Sequence, residues 1–233
     1  MAFHMQVVML AAGRGTRMGT LTENIPKPML GLLGRPMLEW KLEMLPGAID
    51  EVILVVGYLG EQIENYFGAE WKGKKIHYVR QEKLDGTGGA ITLVKDLLAG
   101  PALVMMGDDL YRSEDLEDLL QEDVAVLGLE VDDAELYGLL ETDNDGRLYK
   151  ITERPHQKKT GLVNTGAYVV SSRFFEYPLV PISETEYGLP QTLALLAKDI
   201  PVKVLRARAW QPVGKPEDIV LGEEFLKKYR NTF

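Results

Sequence analysis

A glycine-rich segment near the start of the chain has the composition of an anion-binding loop. Residues 10–18 are Leu-Ala-Ala-Gly-Arg-Gly-Thr-Arg-Met after a short apolar run, and residues 26–28 are Pro-Lys-Pro. The two glycines permit a tight turn at the end of a strand, where several backbone N–H groups can bind phosphate oxygens. Arg14, Arg17 and Lys27 add positive charge in a chain whose net charge is −9. We therefore predict a phosphate site in which Arg17 and Lys27 are the catalytic cations.

Two other glycine-loop classes fit this segment less well. A dinucleotide-binding fingerprint needs a third glycine where Met18 stands. The phosphate loop of P-loop enzymes ends in Gly-Lys-Ser/Thr, and the sequence contains no such tripeptide. A nicotinamide-binding protein is therefore a distant alternative, and Pro26-Lys27-Pro28 also counts against it.

A second loop has the composition of a nucleobase site. Residues 81–90 are Gln-Glu-Lys-Leu-Asp-Gly-Thr-Gly-Gly-Ala. The Gln81 amide offers one donor and one acceptor side by side, which matches the imide edge of uracil or thymine. The glycines would let the backbone lie against a base before a helix begins. An alternative is a glycine-rich helix start without a ligand.

A pair of acidic residues ends the apolar segment 102–106. The carboxyl ends of strands are where α/β sheets bind ligands, and a carboxylate is a hard ligand for Mg²⁺ shared with phosphate oxygens. We predict Asp108 as the metal ligand. Asp109 is interpreted either as a helix cap or as a second ligand.

The elements that position these residues follow an alternating pattern. Strand-length apolar segments alternate with amphipathic ones in the first half, which indicates βαβ units on a mostly parallel sheet. The sequence predicts helices over 34–45, 88–98 and 173–177, and a helix capped by Ser113 that runs to residue 120. Strand-like segments dominate after residue 124, with a hairpin turn at 143–146 and a strand over 202–208. This indicates an antiparallel second half.

Composition excludes several classes of function. A chain of 233 residues with pI near 5.0 is large enough for a full core and is too acidic for a general nucleic-acid or anionic-membrane binder. The absence of cysteine excludes disulfides and thiolate chemistry. No apolar run approaches the ~20 residues that span a bilayer, so we expect no membrane partner and a cytoplasmic location. Met1–His4, ahead of Met5, is interpreted as a cloning remnant.

Both N-terminal motifs, in this order and at this spacing, resemble the nucleotide loop of the sugar-1-phosphate nucleotidyltransferases, the nucleoside-diphosphate-sugar pyrophosphorylases. The pattern of that family is Leu-Ala-Ala-Gly-x-Gly-Thr-Arg-(Met/Leu), then Pro-Lys-Pro-(Met/Leu). The loop at residues 81–90 and Gly107-Asp108 also resemble the family's base-recognition and metal motifs. The resemblance implies a Mg²⁺-assisted enzyme, similar to glucose-1-phosphate thymidylyl- and uridylyltransferases, that joins an NTP (UTP or dTTP favoured) to a hexose 1-phosphate. The nucleotide-binding residues implied are Leu10, Ala11, Ala12, Gly13, Gly15, Thr16, Gln81, Gly86 and Thr87.

Three segments of the second half also appear in the family's order. These are residues 137–141, 152–155 and 163–168. The resemblance implies that Glu153 and Asn164 bind the sugar and that Arg154 binds its phosphate. The sugar-phosphate residues implied are Gly138, Glu153, Arg154 and Asn164. The family more often has lysine where Arg154 stands, so the charge is kept while the geometry differs.

The resemblance also implies the architecture. It is a Rossmann-like α/β fold with a mixed, mostly parallel central sheet, helices on both faces and an antiparallel sugar-binding lobe. We expect one nucleotidyltransferase domain over residues 5–233, with a nucleotide-binding half (5–123) and a sugar-phosphate-binding half (124–233). A homo-oligomer is compatible with the sequence.

One departure from the family pattern affects the metal site. Residues 210–218 resemble Trp-x-Asp-(Ile/Val)-Gly-x-Pro-Glu-Asp, but Pro212 stands where the family commonly has a second metal-binding aspartate. Mg²⁺ would then be held by Asp108, phosphates and water, or Asp109 would substitute. The alternatives are a GTP- or CTP-using relative acting on mannose 1-phosphate or an inositol phosphate, and a catalytically weak sugar-nucleotide-binding protein.

Overall fold

The computed structural model describes residues 5–230. The interpretation of Met1–His4, and the last three residues of the expected 5–233 unit, lie outside the described residues. Within residues 5–230, no helix has the length and apolar composition needed to cross a membrane.

Sixteen strands and six α-helices form in the described chain. The strands are β1 (Met5–Ala11), β2 (Gly31–Leu32), β3 (Arg35–Pro36), β4 (Ile49–Val56), β5 (Glu70–Trp71), β6 (Lys74–Arg80), β7 (Ala102–Met106), β8 (Asp109–Tyr111), β9 (Ala125–Val131), β10 (Leu139–Thr142), β11 (Leu148–Thr152), β12 (Gly161–Val170), β13 (Val180–Pro181), β14 (Tyr187–Gly188), β15 (Lys203–Arg206) and β16 (Trp210–Pro212). The α-helices are α1 (Met37–Glu43), α2 (Gly60–Phe67), α3 (Gly86–Thr92), α4 (Ser113–Leu119), α5 (Leu189–Leu196) and α6 (Asp218–Tyr229). Short 3₁₀ turns lie at Thr16–Thr22, Lys27–Met29, Lys95–Leu97, Ala134–Leu136 and Ser172–Glu176.

A ten-stranded mixed sheet forms the centre of the protein. Its main path runs β11-β10-β12-β7-β1-β4-β6-β5, and β9 joins β12 to β15. The pairs β1–β4, β1–β7 and β4–β6 are parallel, whereas β12 is antiparallel to β7, β9 and β10. The predicted α/β class, with a parallel first half and an antiparallel second half, is confirmed.

The central strands are mostly apolar because helices cover both faces of the sheet. In β1, Val7 and Met9 pack in one core cluster with residues of α1 and α2. Val8 points the opposite way and packs with Ile91 of α3 and Leu193 of α5. This alternation follows from the two-residue period of a strand, and burial on both faces explains why β1, β4 and β7 are nearly continuous apolar runs.

Several predicted elements differ in extent. The first helix begins at Met37 because residues 31–36 form the β2–β3 hairpin, and α3 ends at Thr92 before a separate 3₁₀ turn. The prediction that Ser113 caps α4 is wrong: Ser113 is the first helical residue, and Arg112 takes the cap position. The segment at 173–177 forms a 3₁₀ turn over 172–176, and the strand predicted over 202–208 is the shorter β15. The hairpin turn at 143–146 is present, with the Asp143 N–H bonded to the Arg147 carbonyl.

Strand β12 changes register at Gly166, where it passes from one half of the protein to the other. The residues before it pair with β9 and β10, and those after it pair with β7 and β9. Gly166 has a φ of +79°, and a Cβ there would lie 2.7 Å from Met106 Cγ and 3.2 Å from Asp109 Oδ2. Glycine is therefore required both by the backbone conformation and by the space available.

We expect Gly166→Ala to lower the free energy of unfolding by about 2 kcal/mol, because it adds overpacking to the cost of a left-handed backbone. Gly146→Ala is the matched control, since Gly146 has a φ of +74° with nothing within 4 Å of its Cβ position. It should cost only about 1 kcal/mol. Urea denaturation of both variants measures the difference, and equal losses would show that Met106 and Asp109 accommodate the methyl group.

Candidate active site

A cavity of about 430 Å³ lies at the carboxyl ends of the parallel strands. This is the edge at which α/β sheets bind ligands. All the residues that the sequence assigned to catalysis, nucleotide binding and metal binding line it: Leu10, Ala11, Ala12, Gly13, Gly15, Thr16, Arg17, Lys27, Gln81, Gly86, Thr87 and Asp108.

The first glycine loop is folded around the side chain of Lys27. Gly15 has a φ of +64°, and its carbonyl accepts hydrogen bonds from the Met18 N–H at 2.9 Å and from Thr22 Oγ1 at 3.0 Å. A Cβ at Gly15 would lie 3.0 Å from Lys27 Cβ, so the absence of a side chain there lets the loop close over the lysine. The two motifs, which seven residues separate in the sequence, therefore form one structure.

Lys27 and Asp108 form an ion pair in the cavity. Lys27 Nζ lies 2.5 Å from Asp108 Oδ2, and Lys27 is only 6% exposed although it lies in a 3₁₀ turn between two prolines. The Asp108 side chain is 30% exposed, so one of its sides remains open to a ligand. The pair therefore places one cation and one carboxylate side by side in the cavity that the phosphate loop lines.

Arg17 lies beside the segment that follows β16. A Cβ at Gly214 would be 3.7 Å from Arg17 Nη1. The carboxylate of Asp218 holds this segment by accepting hydrogen bonds from the N–H groups of Gly214 at 2.8 Å and Lys215 at 3.0 Å. The segment after β16 therefore packs next to the Arg17 guanidinium.

Two further ionisable residues, Lys41 and Asp109, lie buried next to Asp108. Lys41, in α1, is 2% exposed, and its Nζ donates a hydrogen bond to the Asp109 carbonyl and lies 5.0 Å from the Tyr111 ring centroid. Asp109 is 8% exposed, and Tyr111 Oη is 3.4 Å from its Oδ2. Burial lowers the pKa of Lys41 and raises that of Asp109, while the attraction between the two charges opposes both shifts. Lys41 thus places a buried amino group next to Asp109, within electrostatic reach of Asp108 as well.

The two interpretations of Asp109 have different outcomes. It is the first residue of β8, so the helix-cap prediction is wrong. Its carboxylate faces Tyr111 and Gly166, and it does not line the cavity, because successive side chains of an extended segment point in opposite directions. Its use as a second metal ligand therefore has no geometric support.

Pro212 lies at the position expected of a residue next to the metal site. It pairs with Asp109 in the β8–β16 ladder, and the N–H of the next residue, Val213, donates to the Asp108 carbonyl at 3.0 Å. Among residues 5–230, no group of three His, Cys, Asp or Glu side chains could hold a metal ion. Mg²⁺ commonly binds through one or two carboxylates, waters and substrate phosphates. The partly exposed Asp108 carboxylate fits that mode of binding.

The Gln81 amide is already engaged within the protein on its donor side. Its Nε2 donates to Asp85 Oδ1 at 2.9 Å and to the Gly86 carbonyl at 3.1 Å, and Gln81 is 6% exposed. The expectation that both a donor and an acceptor are available is therefore wrong. The carbonyl oxygen is the part of the amide that remains for a ligand.

Gly86 and Gly88 in α3 allow a close backbone contact with Tyr187. A Cβ at Gly86, where φ is +88°, would lie 2.4 Å from the Tyr187 carbonyl oxygen, and one at Gly88 would lie 3.1 Å from it. This contact explains why α3 starts two residues earlier than predicted. It also brings Glu186 to the wall of the cavity.

Three of the four predicted sugar-phosphate residues are neighbours. A Cβ at Gly138 would lie 3.0 Å from Glu153 Oε2, and the Asn164 N–H donates to the Gly138 carbonyl at 2.8 Å. Asn164 is fixed further by Tyr168 Oη, which lies 2.8 Å from its Nδ2, and by the Gly166 N–H at 3.0 Å from its Oδ1. This group does not line the 430 Å³ cavity.

The segment 186–191 connects the sugar-phosphate residues to the cavity. Glu186 lines the cavity, and Gln191 Nε2 donates to Glu153 Oε1 at 2.9 Å. Arg154, the fourth residue, is exposed and makes an electrostatic contact with Tyr137.

Sequence reasoning missed three residues of this site: Lys41, Glu186 and Gln191. Lys41 interrupts an apolar helix face, between Leu38 and Leu42, and that irregularity was its only signal. Glu186 and Gln191 lie in a segment with no distinctive composition, and their roles depend on tertiary contacts.

Comparison with known proteins agrees with this geometry. The family model described as "Nucleotidyl transferase" matches residues 6–228. The bifunctional protein GlmU of Methanocaldococcus jannaschii is 34% identical over 231 residues, covering 98% of this chain and 56% of that protein. This chain therefore spans about half the length of several curated relatives that it matches.

Two further proteins match the chain over nearly their whole length. The UTP–glucose-1-phosphate uridylyltransferase AglF of Haloferax volcanii is 30% identical over 237 residues, covering 96% of this chain and 97% of that protein. The crystal structure of HddC from Yersinia pseudotuberculosis complexed with GMP-PN has a TM-score of 0.74 and 28% identity, covering 95% of this chain and 99% of that one. Because the family model matches residues 6–228 of the 233, the chain belongs to the nucleotidyl transferase family.

Proposed function

We propose that this chain is a sugar-1-phosphate nucleotidyltransferase that joins an NTP and a hexose 1-phosphate to give an NDP-sugar and pyrophosphate. The observation that carries the proposal is the single cavity in which the phosphate loop, the Lys27–Asp108 pair and the Gln81 loop meet. The uridylyltransferase activity of AglF supports the same reaction class. We further propose that both halves form one domain acting in the cytoplasm; a homo-oligomer is compatible with this proposal.

The reaction is an in-line displacement at the α-phosphorus. A phosphate oxygen of the sugar 1-phosphate forms the new O–P bond while the bond from the α-phosphorus to the pyrophosphate oxygen breaks. The nucleophile is already an anion at neutral pH, so no general base is needed. The difficulty is to bring two anions together and to stabilise the leaving group, which requires positioning and positive charge.

Two cations of the cavity meet this requirement. Lys27, held by Pro26, Pro28 and the loop around Gly15, presents a fixed point charge to the α-phosphate. Arg17 can bind the β- and γ-phosphates through two parallel hydrogen bonds. Asp108 would hold a divalent ion, Mg²⁺ in this proposal, which would supply further neutralisation of phosphate charge.

The orientation of Gln81 favours particular bases. Its free carbonyl oxygen can accept the N3–H of uracil or thymine, whereas N3 of cytosine is an acceptor and would be repelled. UTP and dTTP are therefore favoured over CTP. Guanine also carries an N–H at the central position of its pairing edge, so GTP is the alternative, in line with the GMP-PN complex of HddC.

The sugar phosphate is assigned to the second half of the chain. The Glu153 carboxylate and the Asn164 amide suit vicinal hydroxyls, Gly138 gives access to its backbone, and Arg154 provides a cation for the phosphate. A second candidate function is sugar-nucleotide binding with weak turnover. Pro212 favours it, because a proline side chain cannot bind a metal ion.

Pyrophosphate release across a panel of NTPs and hexose 1-phosphates, with Mg²⁺ and with EDTA, tests the function. Metal-dependent release with UTP or dTTP and one sugar supports the proposal. Tight binding of an NDP-sugar without release from any pair favours the binding protein.

Removing the Asp108 carboxylate should impair catalysis through the metal. We expect Asp108→Ala to lower kcat/KM about 100-fold, because it removes one oriented electrostatic contact, and to raise the Mg²⁺ concentration needed for half-maximal rate. Asp96→Ala, in the exposed 3₁₀ turn at Lys95–Leu97, is the control and should leave both quantities unchanged. A fully active Asp108→Ala protein would remove Asp108 from the metal site.

A further inference from the structure

The Gln81 side chain has one permitted amide orientation, because both groups that face its nitrogen are acceptors. These are Asp85 Oδ1 at 2.9 Å and the Gly86 carbonyl oxygen at 3.1 Å. Rotating the amide by 180° would place Oε1 against two oxygens and leave both without a donor. The Gln81 N–H also donates to the Val56 carbonyl at 2.8 Å, so the backbone of the residue is fixed as well.

Asp85 is held firmly enough to impose this orientation. A Cβ at Gly89 would lie 1.9 Å from Asp85 Oδ1, so the carboxylate rests directly on the Cα of Gly89 in α3. The Asp85 carbonyl accepts the Tyr187 N–H at 2.8 Å, and its own N–H donates to the Lys83 carbonyl at 2.9 Å. The carboxylate therefore packs against α3, and the backbone of Asp85 is bonded to β14.

Asp85 is also the stronger of the two acceptors that hold Gln81. It provides a charged oxygen at the shorter distance, whereas Gly86 provides a neutral carbonyl. Hydrogen bonds to an ionised acceptor are roughly twice as strong as those between neutral groups. The direction of the Gln81 amide thus depends chiefly on the Asp85 carboxylate.

We propose that Asp85 is a positioning residue that determines nucleobase specificity by fixing the Gln81 carbonyl toward the base. This rests on the proposed function, in which the base of the NTP lies against Gln81. A carbonyl oxygen in that position accepts an N–H at the centre of the pairing edge, as in uracil, thymine and guanine. It rejects cytosine and adenine, which present a lone pair there.

The decisive variant is Asp85→Asn, which keeps the size of the side chain but can present an N–H₂ group to Gln81. The Gln81 amide can then turn over, and its N–H can face a lone pair on the base. We expect the ratio of kcat/KM for UTP to kcat/KM for CTP to fall about 10-fold or more, where each tenfold corresponds to 1.4 kcal/mol. If GTP is the substrate, the ratio for GTP over ATP should fall in the same way. Asp85→Ala should lower the ratio less, because the Gly86 carbonyl still orients the amide.

Glu82→Gln is the matched control. It removes one carboxylate charge from an exposed position in the same loop and should leave the ratio unchanged. A general loss of stability would lower kcat/KM for both nucleotides and would also leave the ratio unchanged. Wild-type ratios in both Asp85→Asn and Asp85→Ala overturn the proposal.

Equilibrium binding separates this inference from the function on which it rests. Calorimetric titration with UTP, CTP and N3-methyl-UTP measures base selectivity without turnover. It uses the wild-type protein, so it does not depend on whether a variant folds. Wild-type protein should bind N3-methyl-UTP at least ~10-fold more weakly than UTP, because the methyl group removes the N–H. Equal binding overturns the role of the Gln81 carbonyl. Base-selective binding without pyrophosphate release would contradict the proposed enzymatic activity but agree with the role of Asp85. The absence of nucleotide binding would contradict both proposals.

Discussion

Lys27→Ala should lower kcat/KM about 1,000-fold, near the upper end of what one preorganised electrostatic contact contributes. The loss has two components. The α-phosphate loses a cation that is 6% exposed and fixed by its surroundings, and Asp108, whose Oδ2 lies 2.5 Å from Lys27 Nζ, is left as an uncompensated negative charge facing the triphosphate. Steady-state pyrophosphate release measures the change, with most of it expected in kcat because the contact is strongest in the transition state.

Three comparisons make this result specific. Lys95→Ala removes a lysine from an exposed 3₁₀ turn and should have no effect. Lys27→Arg keeps the positive charge but replaces the compact ammonium group by a larger, planar guanidinium, so its activity should be intermediate. The double variant with Asp108→Ala should lose less than the product of the two single losses, because the residues are in contact. Activity of Lys27→Ala within tenfold of wild type would exclude Lys27 from the chemistry.

The second large effect concerns stability. Lys41→Met should lower the free energy of unfolding by about 2–3 kcal/mol, because it removes a buried ammonium group whose hydrogen bond satisfies the Asp109 carbonyl and whose charge attracts the Asp109 and Asp108 carboxylates. Lys41 is 2% exposed and Asp109 is 8% exposed, so solvent does little to screen the remaining carboxylate, and Asp108 is its neighbour in sequence. The Asp109 carbonyl also loses the hydrogen bond from Lys41 Nζ. Urea denaturation measures the loss.

The double variant Lys41→Met, Asp109→Leu distinguishes charge from packing. Replacing both of these buried ionisable groups by apolar ones also removes the carboxylate that the Lys41 charge attracts, so we expect it to recover part of the stability lost by Lys41→Met. Lys95→Met, at an exposed site, controls for the exchange of residue type and should cost under ~0.5 kcal/mol. A loss below 1 kcal/mol in Lys41→Met would mean that neither the hydrogen bond to the Asp109 carbonyl nor the charge of Lys41 contributes much to stability.

The sequence was most informative where a local pattern is enough to define the structure. The loop at residues 10–18 is predictable because glycine and strand signals lie next to each other, and β7 was predicted at its exact bounds because its apolar run has clear ends. The short elements were missed. Strands β8 and β16 are three residues long and exist because they pair with each other across about one hundred residues, which no local pattern records.

The same distinction applies to the candidate site. The sequence motifs identify Lys27, Asp108 and Gln81 as site residues. The direction of the Gln81 amide, however, depends on its hydrogen bonds to Asp85 and Gly86, which no sequence pattern indicates. Lys41 belongs to an amphipathic helix, in which a lysine is normally solvated. Its burial results from the position of α1 beneath Asp109, which is sixty-eight residues away in sequence.

Strand β12 restricts how the protein can move. Its ten residues pair on one side of Gly166 with β10 and on the other side with β7, so the same strand supports both the Asn164 region and the strand that leads to Asp108. A hinge between the halves would have to break that ladder. We therefore expect any movement that admits ligands to the cavity to involve surface segments such as the β13–β14 hairpin, whose Tyr187 contacts α3, rather than a rotation of two rigid bodies.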